Sequence, residues 1–254
     1  MTLAVDLSNY TTGFDAAALR DAGVRRAIVQ VVNPGILTHR EQIPALLEAG
    51  IEVEAYVYQW FSGGPEFIRQ RMNWALDELA AYPDVRRVWL DCEQGEDDTP
   101  PYGGGMETTE MIREAVTLTG ERAYEVGIYS AKGFWDRYLH GVTAFAMLPL
   151  WAAQYDGIQS TAIIPFGGWQ RAEMKQYTGL NSLAGVSGID INWYEEDGME
   201  PVKVVNAEAI AAIKAAVVAV GQQDGDYLAV AGAGRVSFDV PAGKRAIIAV
   251  VKED

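Results

Sequence analysis

RRVWLDCE, residues 86–93, is an apolar run that ends in two carboxylates two positions apart. Side chains two apart along a β-strand point to the same face. Trp89, Asp91 and Glu93 therefore share one face, and Cys92, the chain's single cysteine, looks the other way. A run that is apolar on both sides reads as a strand covered on both sides, as in a parallel sheet. In a closed parallel barrel, the Asp91/Glu93 face looks inward near the C-terminal rim, where such barrels carry their chemistry. Cys92 then packs outward under a helix as a small buried apolar residue rather than as a nucleophile.

Working outward, similar runs recur at 3–10, 26–32, 52–60, 125–130, 148–155, 173–178 and 187–194, which makes eight candidate strands. Helical patterns separate the first six, at 14–23, 40–50, 65–81, 106–120 and 133–141. The first two end in glycine stop signals. Only loops rich in Gly and Ser join the last three strands. The alternation predicts an α/β fold, an irregular (β/α)8 TIM-like barrel whose last strands are helix-poor. After Pro201 the texture changes to an Ala-rich helical pattern at 205–221 and short β runs, with a hairpin expected around AGAGR, 231–235. We read 1–201 as the barrel and 202–254 as a small C-terminal α+β appendage. It serves docking, oligomerisation or as a strap over the barrel.

Composition bounds the function. A formal net charge of −15 argues against a nucleic-acid binder, which carries a basic footprint. One cysteine excludes an intramolecular disulfide, and two distant histidines, His39 and His140, argue against a His/Cys metal site. The run AIAAIKAAVVAV is too short to span a bilayer and is interrupted by Lys214, so no membrane insertion is expected. The N-terminus MTLAVDLSNY lacks the pattern of a signal peptide. Seven Trp and twelve Tyr fit either a large-residue core or a cleft whose rings stack on sugar faces.

Acids also mark the first and last strands, Asp6 in AVDLSNY and Asp190 in SGIDINWY. In a closed barrel these strands are neighbours, so Asp6 and Asp190 are expected to face Asp91 and Glu93 across the mouth. Mutual repulsion and burial raise the pKa of at least one acid. A carboxyl so raised serves as a general acid beside ionised neighbours, the arrangement glycoside hydrolysis uses. Two strand residues span about 6.5 Å. That exceeds the ~5–5.5 Å separation of a direct carboxylate nucleophile and its acid partner, and suits a substrate-assisted reaction.

Over residues 3–194 the chain resembles the glycoside hydrolase family 25 lysozymes. VDLSNYTTG resembles the family's opening strand, WLDCE its Asp-x-Glu strand and GIYSAKGFW its fifth-strand segment. LWAAQY, KQYT and GIDINWY are similar to its last three strands. The resemblance implies cleavage of the β-1,4 bond between N-acetylmuramic acid and N-acetylglucosamine in bacterial cell-wall polysaccharide. It implies Glu93 as general acid, Asp91 as the carboxylate that positions the substrate's acetamido group, and Asp6 and Asp190 as flanking acids. No metal or organic cofactor is implied. A chain of this kind without a signal peptide is expected to reach the wall by phage delivery, holin release or as part of a virion. The 202–254 appendage is then open to homo-oligomerisation or docking on a phage particle.

The departures re-line the cleft. The second strand ends QVVNPG, the third AYVYQWFSGG, and the seventh reads MKQYT, with the usual Trp replaced. Tyr56, Tyr58 and Trp60 share one face and are expected to form a stacking wall, joined by Tyr129, Trp151 and Tyr155. Gln176 and Asn192 complete the candidate substrate contacts. The acidic, Gly-rich loop after Glu93 reads as a rim, with calcium binding a minor alternative. Against hydrolysis stands a second reading: a non-hydrolytic cell-surface glycan binder, or a virion structural protein on a degenerate lysozyme barrel.

Overall fold

In a computed structural model, the described residues are 2–32, 37–94 and 100–194, with the strands at 202–204, 235–240 and 244–250. The chain divides into two compact units, Met1–Glu196 and Asp197–Asp254. The division falls a few residues before the change of texture at Pro201.

The first unit is a closed eight-stranded barrel. Its elements are β1 (Thr2–Thr12), α1 (Ala16–Asp21), β2 (Val24–Gln30), α2 (His39–Glu48), β3 (Glu52–Tyr58), α3 (Gly64–Leu79), β4 (Arg87–Cys92), α4 (Gly105–Glu121), β5 (Glu125–Ser130), α5 (Lys132–Leu139), β6 (Leu150–Ala153), β7 (Met174–Leu183) and β8 (Val186–Tyr194). A 3-10 turn, Phe61–Gly63, leads from β3 into α3. Strands β1 to β7 pair in parallel in chain order. β8 is the irregular member: it runs antiparallel to both β7 and β1 and closes the barrel between them. Two residues, Ala184 and Gly185, join β7 to β8. That is room for a hairpin and far too little for the crossover that a parallel strand needs.

Each strand sorts its side chains by parity. Val5 and Leu7, Ala27 and Val29, Val53, Ala55 and Val57, and Val88, Leu90 and Cys92 point outward into the core shared with the helices. Ala4, Ile28, Tyr56, Trp89, Tyr129, Trp151, Met174 and Tyr194 point inward and form a second core inside the barrel. The large rings meet closely: Trp89 stands edge to face with Trp151 at 5.9 Å, and Tyr129 lies tilted against it at 4.4 Å. Space for Trp89 comes from Gly127 across the β4–β5 pair, where a Cβ would stand 2.3 Å from the indole. Cys92 is fully buried in the outer core, and burial pushes its thiol pKa up, which disfavours the thiolate.

The N-terminal end of the barrel is sealed by charge. Glu54 is buried, accepts Trp89 Nε1 at 2.6 Å and faces Arg26 at 3.4 Å and Arg87 at 3.6 Å. Arg87 also pairs with Glu125 at 3.0 Å and with Glu173. The Arg26 guanidinium lies 4.1 Å over the Tyr194 ring.

In the second unit, β9 (Val202–Val204), β10 (Arg235–Val240) and β11 (Lys244–Val250) form one sheet in the order β10-β11-β9. β10 and β11 pair antiparallel, from Val240↔Lys244 to Arg235↔Ala249. The hairpin expected around 231–235 lies almost wholly outside the described residues. The expected helix at 205–221, the β run 227–232 and most of the acidic rim loop (95–99) lie outside the described residues.

Candidate functional site at the barrel mouth

The four acids singled out in the sequence gather at the C-terminal end of the barrel. Asp6 and Asp190 are direct partners across β1 and β8. Asp91 sits between Tyr58 of β3 and Tyr129 of β5. Glu93 follows the last residue of β4 and is half-buried, as is Asp190. Because β8 runs against β1, Asp190 reaches the mouth from a strand that enters at the top.

Two buried amides organise the Asp6 side. Asp6 Oδ2 accepts Gln176 Nε2 at 2.8 Å and Asn192 Nδ2 at 2.7 Å, and Gln176 Nε2 also reaches Asp190 Oδ2 at 3.2 Å. The orientation of both amides is fixed from behind. Gln176 Oε1 accepts the hydroxyls of Tyr129 at 2.7 Å and Tyr155 at 2.6 Å. Asn192 Oδ1 accepts Trp151 Nε1 at 2.7 Å. Phenol and indole supply donors here, so the amide oxygens must face them and the NH2 groups must face the acid.

Burial is the largest cause of the raised Asp6 pKa, followed by repulsion from Asp190. The two amides oppose the rise, and the pKa is pushed up to about 7. Asp91 is 4% exposed, and burial first, then Glu93 and Asp6, push its pKa well above the usual carboxylate range. Arg71 opposes that rise. One Asp91 oxygen, Oδ1, is buried without a hydrogen-bond partner. A buried acceptor left open in this way is costly unless a ligand or water fills it. The cluster thus pushes the Asp6 and Asp91 pKa values up and leaves one acceptor oxygen open.

The aromatic residues split by depth. Tyr56, Tyr129 and Trp151 are 7%, 5% and 2% exposed, so they form the floor under the acids rather than the expected stacking wall. Tyr58 is half-buried, while Trp60 and Tyr155 are exposed at the rim. Trp60 packs edge-on against Tyr58 and Phe67, with centroids 6.2 Å away in each case. Sequence reasoning missed one residue that acts on the acids. Arg71 is buried on α3 and opposes the rise at Asp91. Its signal was legible: it occupies a core position in the helical series Ile68, Arg71, Met72, Ala75, Leu76, Leu79. Among the described residues, no group of three or more His, Cys, Asp or Glu side chains is arranged to hold a metal ion.

A closed, irregular barrel with helix-poor last strands and Asp-x-Glu at the end of β4 is the arrangement the sequence resemblance implies. The family model of lysozyme-like protein 1 matches residues 1–177. The chain belongs to the glycoside hydrolase family 25 lysozymes. This family 25 chain is 33% identical over 118 residues to probable GH family 25 lysozyme 3 of Dictyostelium discoideum, covering 44% of this chain and 23% of that relative. It is 28% identical over 202 residues to probable GH family 25 lysozyme 4 of the same organism, covering 75% of this chain and 89% of that relative. The chain therefore spans under a quarter of the length of the first relative and nearly all of the second. In fold it matches the bacterial lysozyme from Streptomyces coelicolor with a TM-score of 0.65 at 17% identity, covering 78% of this chain and 93% of that one.

Proposed function

We propose that this lysozyme-family chain hydrolyses the β-1,4 bond between N-acetylmuramic acid and N-acetylglucosamine in peptidoglycan, with Glu93 as general acid and retention assisted by the substrate. The observation that carries the reading is the Asp91/Glu93 pair. One member is deep and has an open acceptor oxygen, and its neighbour stands half-buried at the rim. In the first step, Glu93 gives its proton to the leaving glycosidic oxygen while the substrate's acetamido oxygen attacks C1. Asp91 accepts the acetamido N–H through Oδ1, which raises the oxygen's nucleophilicity and balances the charge that develops. In the second step, the Glu93 carboxylate takes a proton from water as that water opens the ring at C1, which regenerates the acid.

Asp6 and Asp190, with Gln176 and Asn192, hold the far side of the mouth in register. Trp60 and Tyr155 are the rings with faces free to meet sugar. The place of work is the cell wall outside the membrane. The 202–254 segment is the candidate for self-association or for docking on a phage particle.

The test is muropeptide release from purified peptidoglycans of several wall chemotypes, read by mass spectrometry. The parent is expected to yield products with reducing-end N-acetylmuramic acid, and Glu93→Gln none. Reducing-end N-acetylglucosamine, or equal release by the variant, overturns the assignment.

A further inference from the structure

The mouth's acids leave one question open: which of them carries the proton. Asp91 is the more deeply buried member of the Asp91/Glu93 pair, so desolvation alone would place the proton on Asp91. That is the wrong carboxyl for the reaction proposed above. Something must favour the Asp91 anion, and the structure supplies a buried cation behind it.

Arg71 rises from α3 toward the strand ends. Its Nε donates to the Tyr58 carbonyl and its NH2 to the Val32 carbonyl, both at 2.7 Å. Those carbonyls stand at the C-terminal ends of β3 and just beyond β2. Tyr58 is the residue registered opposite Asp91, and the next residue, Gln59, donates its N–H to the Asp91 carbonyl at 2.9 Å. Val32 has φ of +66°, a left-handed conformation that a β-branched residue rarely adopts, and the Arg71 fork holds its carbonyl there. The side chain is 6% exposed, so its charge acts on Asp91 through protein rather than water. Among the described residues the guanidinium meets two carbonyls and no paired carboxylate, which is costly, and a nearby anion repays part of that cost.

We propose that Arg71 is a positioning residue: it pins the ends of β2 and β3 behind Asp91 and favours the Asp91 anion against its burial. It touches no substrate. It acts through Asp91, by geometry and by charge. The groups that face Asp91 are Glu93 on its own strand, Asp6 from β1, Tyr56 from β3, Tyr129 from β5 and Arg71 from α3. Arg71 is the cation in that set.

This proposal rests on the reaction assigned to Glu93 and Asp91, so its test carries one readout that needs no turnover. With 13C-labelled aspartate carboxyls, Asp91 is identified by its loss in Asp91→Asn and followed by NMR across pH in the parent, Arg71→Gln and Arg71→Lys. The Asp91 midpoint is expected to rise by about one unit or more in Arg71→Gln, which keeps an amide donor but no charge. In Arg71→Lys, which keeps the charge and loses the fork, it is expected to stay near the parent's. The acidic limb of kcat/KM on peptidoglycan fragments moves with it in Arg71→Gln, with a fall in kcat and little change in KM. An Asp91 midpoint that stays put in folded Arg71→Gln, or that rises in Arg71→Lys, overturns the proposal. Titrations as expected in a protein that cleaves no glycan would leave Arg71's role standing and remove the hydrolase reading instead.

Discussion

The two ends of one barrel bury carboxylates in opposite ways. At the N-terminal end, Glu54 is countered by Arg26, Arg87 and the Trp89 N–H. Burial pushes its pKa up, and the two arginines pull it back. At the C-terminal end, Asp6 and Asp190 face each other, Asp91 lies beside Glu93, and the charge opposing Asp91 comes from one guanidinium engaged with two carbonyls. Charges matched at close range fix structure, whereas charges left partly unmatched store a readiness to take or give protons. On the proposed reaction, carboxyl groups thus serve as a seal at one end and as reagents at the other.

That contrast can be broken at either end. The largest effect is expected at the mouth: Glu93→Gln should lower turnover by about 10²–10⁴-fold with an unchanged melting temperature. A variant that loses stability instead of turnover would make the mouth another seal. At the other end, Arg87→Met leaves Glu54 short of a partner. Unfolding in denaturant should show a loss of about 3–5 kcal/mol, with turnover per folded molecule kept. Between the ends, Gly127→Ala drives a methyl into the Trp89 ring. Overpacking should cost about 1–3 kcal/mol by the same measurement, and a neutral result would mean that the ring moves freely.

The narrowest effect, a change of slope per pH unit, is the most specific to the mouth. Asp6 has a folded pKa of about 7, against an ordinary value of 3.8. Between those values the folded state holds a proton that the unfolded state has released. Asp6 therefore contributes stability that is present below pH ~4 and lost as pH rises toward ~7, with a slope of at most ~1.4 kcal/mol per pH unit. Asp6→Asn should flatten stability over that window. An unchanged slope would place the titrating group elsewhere.

The sequence made the barrel legible because parity alone sorts the Val and Leu of the strands outward from Trp89, Asp91 and Tyr56. Parity is blind to two things. It is the same whichever way a strand runs, so SGIDINWY reads alike in both directions, and only the missing crossover between β7 and β8 betrayed the reversal. Parity also gives the face but not the depth. Tyr56 and Tyr58 share a face, yet one is floor and the other stands at the rim. Arg71 escaped for a different reason: a helix's charged residues are ordinarily its solvent face, and only its place among Ile68, Met72 and Ala75 set it apart.

The reversed last strand has a consequence for how the molecule comes together. β7 and β8 meet through a two-residue turn and can form early, but their union with β1 joins opposite ends of the barrel sequence. The hydrogen bonds that organise the mouth cross that seam: Asp6 lies 170 residues from Gln176 and 186 from Asn192. Contacts of such separation bear a large loop-closure entropy and form late. A chain still emerging from the ribosome therefore has its Asp91/Glu93 strand in hand long before Asp6 finds its amides. The cleft is completed only when the barrel closes, so a partly folded molecule has no working site.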